Sequence, residues 1–213
     1  MICAVKQAVP LLLLLAAATV ISTGTDQKCD GVNKMLPKED LHKIFGHWVL
    51  VWSVSDNPHA WDMFPNISSS HVEFRLLADN KTVVFTESNL QNNVSCTVYT
   101  ANMSINASES DHHRLITESA TVHTEEGVQP FNDMGVIDLY ESCPDCMVLD
   151  YKSNLGRFLL TYKREGHHSD VEALAAAHKH HQLRSECFGY PSHQPFIYDS
   201  VSRFCDRKSS VSE

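Results

Sequence analysis

Eight short segments with the composition of β-strands follow one another along most of this chain. The first begins at Trp48, and the later ones, each bounded by turn-forming residues, lie near 71–77, 82–88, 94–105, 113–124, 134–142, 146–152 and 157–164. Each carries β-branched or aromatic residues. Strands that recur at this spacing without helices between them indicate an antiparallel barrel or sandwich. We therefore expect an all-β protein.

The first strand has a distinctive beginning, Gly46-His47-Trp48, directly after a short helical turn predicted over 36–45. Glycine allows the chain to turn tightly into the strand. The indole of Trp48 can fill the closed end of a barrel, where its ring is buried and its N–H needs one partner. This beginning is typical of a closed barrel.

Residues 1–24 have the three parts of a cleavable signal peptide. Lys6 provides a positive charge, 11–18 form an apolar core, and Ser22-Thr23-Gly24 offer small residues for cleavage. The apolar core is too short for a bilayer, and no later segment reaches the roughly 20 apolar residues that a spanning helix needs. We expect a secreted, extracellular protein in which 25–205 form one domain and 206–213 a disordered tail.

The net charge of −9 restricts the classes of partner. An acidic surface disfavours nucleic acid and anionic membranes, and it mainly favours solubility. No residue pattern calls for a cofactor. We expect a monomer without a cofactor whose partner is a small molecule.

Cysteines and glycosylation sequons agree with export. Six cysteines remain once Cys3 leaves with the leader, an even number that indicates disulfides and allows fifteen pairings. Five Asn-x-Ser/Thr sequons predict N-glycosylation at Asn66, Asn80, Asn93, Asn102 and Asn106. Because a glycan must point to solvent, Asn102 and Asn106 mark the outer face of their strand. Side chains alternate along a strand, so the inward face carries Tyr99, Ala101, Met103 and Ile105.

The hydrophobic period changes after the last strand. Ser169 can cap a helix that begins at Asp170-Val171-Glu172, and the alanine-rich stretch 171–183 propagates it. One face of this helix could lie on the barrel wall; it consists of Val171, Leu174, Ala175, His178 and Leu183.

This order of turn, eight strands, long helix and cysteine-containing tail resembles the lipocalins, and among them the α1-acid glycoprotein (orosomucoid) group. It also resembles the fish plasma members of that group, which are described as binding tributyltin or saxitoxin and tetrodotoxin. The matching features span 29–205: Cys29, Gly46-His47-Trp48, Asn80-Lys81-Thr82, Cys96 with Val98-Tyr99, Glu186-Cys187 and Cys205. The Thr-Asp-Tyr-like turn of the family is absent, and the arginine of its third motif is either Arg157 or Arg164.

The resemblance implies a fold and a set of disulfides. The fold is an eight-stranded antiparallel up-and-down barrel with one C-terminal helix packed on its wall. The family pairing joins Cys29 to Cys187 and Cys96 to Cys205. An extra pair remains, Cys143 and Cys146, which bracket Pro144-Asp145, and we expect a third bridge across that turn.

Strand parity then predicts the barrel interior. In the early strands the inward face carries Trp48, Leu50 and Trp52, and Phe74 and Leu76 share a face with Val83 and Phe85. A bridge from Cys143 to Cys146 pairs Tyr140 with Leu149. A turn at Leu155-Gly156 sets Leu160 opposite Tyr151 and Tyr162 opposite Leu149. The predicted ligand-binding residues are Leu50, Trp52, Phe74, Phe85, Tyr99, Met103, Tyr140, Leu149, Tyr151, Leu160 and Tyr162.

An apolar, aromatic interior with tyrosine hydroxyls suits a small lipophilic or amphipathic ligand. The alternative is a barrel packed solid by the same side chains. The resemblance implies a plasma carrier of such ligands, including xenobiotics or toxins such as tributyltin, tetrodotoxin and saxitoxin. Guanidinium toxins would need inward carboxylates, for which the candidates are Glu73, Glu87 and Asp138, or aromatic faces from Trp52, Trp61 and Tyr162. We expect all three carboxylates to face outward, because burying an unpaired charge is costly.

Three other functions are open. Histidines cluster at His112-His113, His167-His168 and on the helix at His178, His180 and His181, where His178 and His181 could hold a metal; we expect a solvated surface. Cys143-Pro144-Asp145-Cys146 could exchange disulfides, but no helix follows to lower a thiol pKa, so we expect no enzyme. An acute-phase, immunomodulatory glycoprotein is the third alternative.

Overall fold

The computed structural model describes residues 26–106, 112–191 and 194–206. The predicted signal peptide and all of the predicted tail except Asp206 lie outside these ranges. Within them, the chain forms ten strands: Gly46–Ser55 (β1), Ile67–Leu76 (β2), Thr82–Gln91 (β3), Ser95–Asn106 (β4), Arg114–Thr124 (β5), Gly127–Pro130 (β6), Gly135–Tyr140 (β7), Cys146–Ser153 (β8), Gly156–Arg164 (β9) and Phe196–Ile197 (β10). The α-helices of these ranges are Asp26–Cys29 (α1), Pro58–Met63 (α2) and Val171–Cys187 (α3).

Eight of these strands close into an antiparallel barrel. Their order is β1-β2-β3-β4-β5-β7-β8-β9, and β9 pairs with β1 to complete the ring. The short strand β6 pairs only with β5, and β10 adds to the other part of β1. Closure leaves the eight strands without a free edge. The predicted up-and-down barrel is therefore confirmed, and the sandwich alternative is wrong.

One end of the barrel is closed by the residues around the start of β1. A 3₁₀-helical turn, Lys38–Ile44, leads to Gly46, whose φ of +106° only glycine adopts readily. The indole N–H of Trp48 donates to the Ile44 carbonyl at 2.7 Å. The guanidinium of Arg164 lies 4.1 Å from the centre of the indole ring. Of the two arginines that the sequence left open, Arg164 packs on Trp48, whereas Arg157 packs on Tyr190.

The inward orientation predicted for Trp52 is wrong because β1 contains a bulge. Leu50 pairs with Tyr162, but Trp52 pairs with Thr161, so one extra residue enters β1 between them. The extra residue reverses the faces for the rest of the strand. Trp52 consequently lies on the outer wall, where its ring centre is 5.5 Å from that of His181 in α3.

The inward orientation predicted for Tyr140 is also wrong, because the register of β7 and β8 differs by one residue from the prediction. Tyr140 pairs with Val148, and Leu139 pairs with Leu149. The connection runs over 141–145 and is not a two-residue hairpin. A shift of one residue turns every side chain to the other face. Tyr140 therefore packs outside the barrel, with its ring centre 4.6 Å from that of Phe188.

A different error in β8 and β9 left the faces unchanged. Leu149 pairs with Leu160, and Met147 pairs with Tyr162, each two residues away from the predicted partner. The turn is centred on Asn154-Leu155, since Ser153 pairs with Gly156. A turn centred one residue earlier moves every partner by two residues, and a shift of two preserves the face.

The C-terminal helix α3 packs on the barrel wall, but two details of its prediction are wrong. Its N-cap is Asp170, which accepts a hydrogen bond from the Ala173 N–H at 3.0 Å, and not Ser169. The predicted wall-facing residues Val171 and Ala175 are exposed, whereas Leu174, His178 and Leu183 are partly buried. The helix meets the wall through its later turns, where Arg184 and Ser185 are buried.

All three predicted disulfides are present. Cys29 joins Cys187, Cys96 joins Cys205, and Cys143 joins Cys146. The first attaches the N-terminal segment to the end of α3, and the second attaches the C-terminal segment to β4. Among the described helices, none has the length and apolar character required to cross a bilayer.

Candidate functional site

The barrel encloses a cavity of about 200 Å³ that lies away from the Trp48 end. Its mouth lies between the segment that follows β1, with Met63 and Phe64, and the β8–β9 turn, with Leu155. The wall is mostly aliphatic and aromatic, which favours burial of an apolar surface. The volume suits a compact small molecule, and a barrel of eight strands has room for one.

Eight of the residues predicted to bind a ligand line this cavity. They are Leu50, Phe85, Tyr99, Met103, Leu149, Tyr151, Leu160 and Tyr162. Phe74 also faces inward, as its pairing with Phe85 requires, but it is fully buried in the packed part of the barrel and does not line the cavity. Trp52 and Tyr140 lie outside the wall for the reasons given above.

Several lining residues were not predicted. They come from the mouth of the barrel and from β7 and β9: Phe64, Ile67, Phe131, Ile137 and Phe158. Ile137 and Phe158 share faces with Leu149 and Tyr151 and follow from the correct register. Phe64 and Phe131 lie outside the strands, and Ile67 begins β2 before a register shift at Ser69, so strand parity makes no prediction for these three residues.

The main polar feature of the cavity is the carboxylate of Glu87 on β3. The alternation that turns Phe85 inward also turns Glu87 and Asn89 inward. The Asn89 side-chain amide and the Ser70 hydroxyl donate to Glu87 Oε1 at 3.0 and 3.3 Å. Glu87 was predicted to face outward, and that prediction is wrong, although the parity of Phe85 already implied the answer.

The apolar surroundings change the proton affinity of Glu87. Burial raises the pKa of this carboxyl, while hydrogen bonds from Asn89 and Ser70 oppose the rise. Burial, together with the nearby Glu87 charge, also raises the pKa of the Tyr99 and Tyr162 hydroxyls. Oε2 of Glu87 accepts no hydrogen bond from any described residue. A cationic or hydrogen-bond-donating ligand could therefore bind at this oxygen.

A second polar group lies at another part of the cavity wall. The Tyr151 hydroxyl donates to Asp133 Oδ2 at 3.1 Å, and both residues line the cavity. A side chain at Gly135 would place its Cβ 2.6 Å from the Lys152 carbonyl oxygen and would also overlap the Tyr151 ring. Gly135 therefore allows the close approach that holds Tyr151 in place.

The other two candidate carboxylates are outside the cavity, as predicted. Asp138 is buried on the outer wall between Arg114 and Lys152, with Arg114 Nε at 2.6 Å and Lys152 Nζ at 2.8 Å. These hydrogen bonds and charges keep the pKa of Asp138 below its ordinary value even though burial opposes this. Glu73 lies between the inward residues Val72 and Phe74 and so shares the outer face of β2.

The histidines of α3 differ among themselves. His180 is exposed, while His178 and His181 are partly buried. Burial against Trp52 lowers the pKa of His181 to about 4, so this ring is neutral at physiological pH. The prediction of a uniformly solvated histidine surface is therefore wrong for His181.

A closed eight-stranded barrel with a plugged end, an open cavity and a C-terminal helix on its wall defines a lipocalin fold. Known structures agree. The chain superimposes on lipocalin 12 from rat epididymis with a TM-score of 0.57 and 12% identity, covering 82% of this chain and 93% of that one. For the siderocalin Ex-FABP the TM-score is 0.54 at 10% identity, covering 78% and 99%.

Sequence comparison identifies nearer relatives. The chain is homologous to Saxitoxin and tetrodotoxin-binding proteins 1 and 2 of Takifugu pardalis, with 38% identity to each over 201 residues. The alignment covers 94% of this chain and 50% of each relative, so the chain spans about half the length of these curated proteins. No protein-family model matches the chain. The predicted resemblance to lipocalins and to the fish toxin-binding proteins is confirmed.

Proposed function

We propose that this protein is a secreted plasma carrier that binds a compact, amphipathic small molecule with a cationic group inside its barrel. The single observation that carries the proposal is the Glu87 carboxylate, directed into a cavity that is otherwise mostly apolar. An anion in such surroundings is poorly solvated, and a bound cation restores its stabilisation. The apolar wall takes up the rest of the ligand.

The relatives indicate which ligands to test. Two homologues are named for saxitoxin and tetrodotoxin, which are cationic guanidinium compounds. Glu87 could pair with a guanidinium, and the tyrosines that line the cavity, Tyr99 and Tyr162 among them, could contact its face or donate hydrogen bonds. Tributyltin, whose alkyl groups favour the apolar wall, is the second ligand to compare.

Secretion and glycosylation complete the proposal. The predicted signal peptide directs export, and the three disulfides suit an oxidising compartment. All five sequon asparagines, Asn66, Asn80, Asn93, Asn102 and Asn106, are exposed, which supports glycan attachment at each of them. We propose a monomeric carrier without enzymatic activity or cofactor, and glycans on its outer face.

The test is calorimetric titration of the purified protein with tetrodotoxin, with tributyltin and with a fatty acid, before and after the substitution Glu87→Gln. Glutamine keeps an oxygen for Ser70 and Asn89 but removes the charge. We expect tetrodotoxin affinity to fall about 10- to 100-fold, because a hydrogen-bonded charge contributes roughly 1.5–3 kcal/mol, and fatty-acid affinity to stay the same or rise.

The matched control is Glu172→Gln, which removes the same charge at an exposed position on α3. It should leave all three affinities unchanged. If wild-type protein binds none of the three ligands, the carrier proposal is wrong. If it binds tetrodotoxin and Glu87→Gln binds equally well, Glu87 does not select the cation.

A further inference from the structure

A separate cluster of two histidines and a glutamate lies on the outer surface near the closed end of the barrel. His47 of β1, His71 of β2 and Glu165, which follows β9, place one ligand atom each within 4.8 Å of one another. His71 Nε2 is 3.8 Å from Glu165 Oε1, and the two imidazole ring centres are 5.4 Å apart. The cavity lies on the other side of the barrel wall.

The fold itself brings these three residues together. Trp48 and Val72 pair across β1 and β2 and face inward, so their neighbours His47 and His71 face outward. The Glu165 N–H donates to the His47 carbonyl at 3.1 Å, which holds Glu165 beside β1. Three segments far apart in sequence thus position the ligands on a closed sheet.

The surroundings of the histidines favour a bound cation. His71 is only 8% exposed, and the ring of Phe204 packs edge-on to it with 6.2 Å between centres. The neighbouring Cys205 is tied to β4, so Phe204 covers His71 firmly. The Nδ1 atom of His47 is buried and has no hydrogen-bond partner. A buried polar atom without a partner is destabilising, and a metal ion would satisfy it.

We propose that His47, His71 and Glu165 form a zinc site with two imidazole ligands and one carboxylate ligand. Zinc accepts nitrogen and oxygen ligands at roughly 2.0–2.2 Å in a tetrahedral arrangement, in which ligand atoms are about 3.3 Å apart. The three ligand atoms lie within 4.8 Å of one another, so a bound zinc ion would draw them together to that separation. The side chain of Glu165 is 37% exposed, so the fourth position is open to water.

The ligand set selects the type of metal. Two imidazoles favour zinc and copper over magnesium and calcium, which prefer oxygen ligands alone. Arg164 directly precedes Glu165 in the sequence. Its guanidinium contacts Trp48 and donates to the carbonyls of Phe45 and Lys43. The site is also distinct from the histidines of α3, of which His181 packs against Trp52.

The test is calorimetric titration of the chelator-treated full chain with zinc chloride, repeated for His47→Gln and Glu165→Gln. We expect the wild type to bind one zinc ion per chain. Each variant should bind zinc at least about 100-fold more weakly, because even substitutions beyond the direct ligands lower zinc affinity 10- to 100-fold. Cobalt(II) should give the visible absorption of a four-coordinate ion in the wild type, and His47→Gln should abolish it.

Two histidine variants serve as controls. His59→Gln changes an exposed residue of α2, and His180→Gln changes the exposed histidine of α3. Both should bind zinc like the wild type. The proposal is overturned if the wild type binds no zinc at one-to-one stoichiometry below millimolar concentration, or if His180→Gln loses the zinc that Glu165→Gln keeps. Glu165 is partly exposed, so its variant remains informative even if His47→Gln unfolds. Glu87→Gln should bind zinc normally, which separates this site from the cavity.

Discussion

The guanidinium of Arg164 lies 4.1 Å from the centre of the Trp48 indole and closes one end of the barrel. The same side chain donates to the carbonyls of Lys43 at 2.9 Å and of Phe45 at 3.3 Å. It therefore joins the end of β9 to the turn before β1 and to the tryptophan that fills the barrel floor. Arg164 therefore contributes both to the contact between β9 and the start of β1 and to the closed end of the barrel.

Arg164→Ala should destabilise the protein without removing the cavity. The change removes the cation–π contact and two hydrogen bonds from a charged donor, and we expect the free energy of unfolding to fall by about 2 kcal/mol. Urea denaturation followed by tryptophan fluorescence measures it. Arg75→Ala, at an exposed position of β2, should change stability by less than about 0.5 kcal/mol. Equal effects of the two substitutions would contradict the role assigned to Arg164.

Glu87→Gln should stabilise the protein without ligand at neutral pH. The folded state raises the pKa of Glu87, so the folded form holds its proton more tightly than the unfolded form does. Wild-type stability therefore decreases as pH rises from the unfolded value, about 4.3, to the folded value. Glutamine does not titrate, so the variant should be more stable than the wild type at pH 7.5 but not at pH 3.5. Urea denaturation at both pH values checks the sign, and a variant less stable than the wild type at pH 7.5 would refute it.

Tyr162→Phe and Tyr140→Phe form a matched pair across the barrel wall. Tyr162 lines the cavity near Glu87, whereas Tyr140 packs against Phe188 outside. Loss of the Tyr162 hydroxyl should weaken tetrodotoxin binding about fivefold, since a neutral hydrogen bond contributes roughly 1 kcal/mol. Tyr140→Phe should leave the affinity unchanged. Calorimetry compares the two, and a larger effect at Tyr140 would mean that the β7–β8 register is wrong.

The Cys96–Cys205 and Cys143–Cys146 bridges should differ in their contribution to stability. They close loops of very different length, with sequence separations of 109 and 3. The chain-entropy model gives a loss of about 5 kcal/mol when alanines replace Cys96 and Cys205, and about 2 kcal/mol for Cys143 and Cys146. Thermal unfolding of the two double variants provides the ranking. If the short bridge contributes more, loop entropy does not control stability here.

Loss of Cys96–Cys205 should also weaken zinc binding, because Phe204 then no longer covers His71.

Local sequence signals were sufficient to predict which side chains share a face where two strands are joined by a short turn. Phe74, Leu76, Val83 and Phe85 share a face as predicted, with Phe74 opposite Phe85 and Leu76 opposite Val83, because the β2–β3 turn is defined by its own residues. Asp79 accepts hydrogen bonds from the N–H groups of Lys81 and Thr82 and from the Thr82 hydroxyl. Such a turn needs no support from the rest of the protein, so its register can be read from the sequence.

The two residues assigned to the wrong face, Trp52 and Tyr140, lie where a non-local contact overrides strand period. The bulge that turns Trp52 outward lies where β1 changes from pairing with β9 alone to pairing with β10 as well. Tyr140 faces outward because the Met35 backbone bridges to it and Phe188 covers its ring. Neither partner is close in sequence, so no local pattern contains this information.

Resemblance supplied the barrel and two of the disulfide pairings, and the residue pattern alone yielded the eight barrel strands and eight residues of the cavity wall. These depend on a two-residue period and on short turns, which are properties of neighbouring residues. The folded barrel, and no local pattern, provides the hydrogen-bond donors of Glu87 and places His47, His71 and Glu165 together on its surface. Those arrangements depend on closing the sheet, which brings together residues that the chain itself holds far apart.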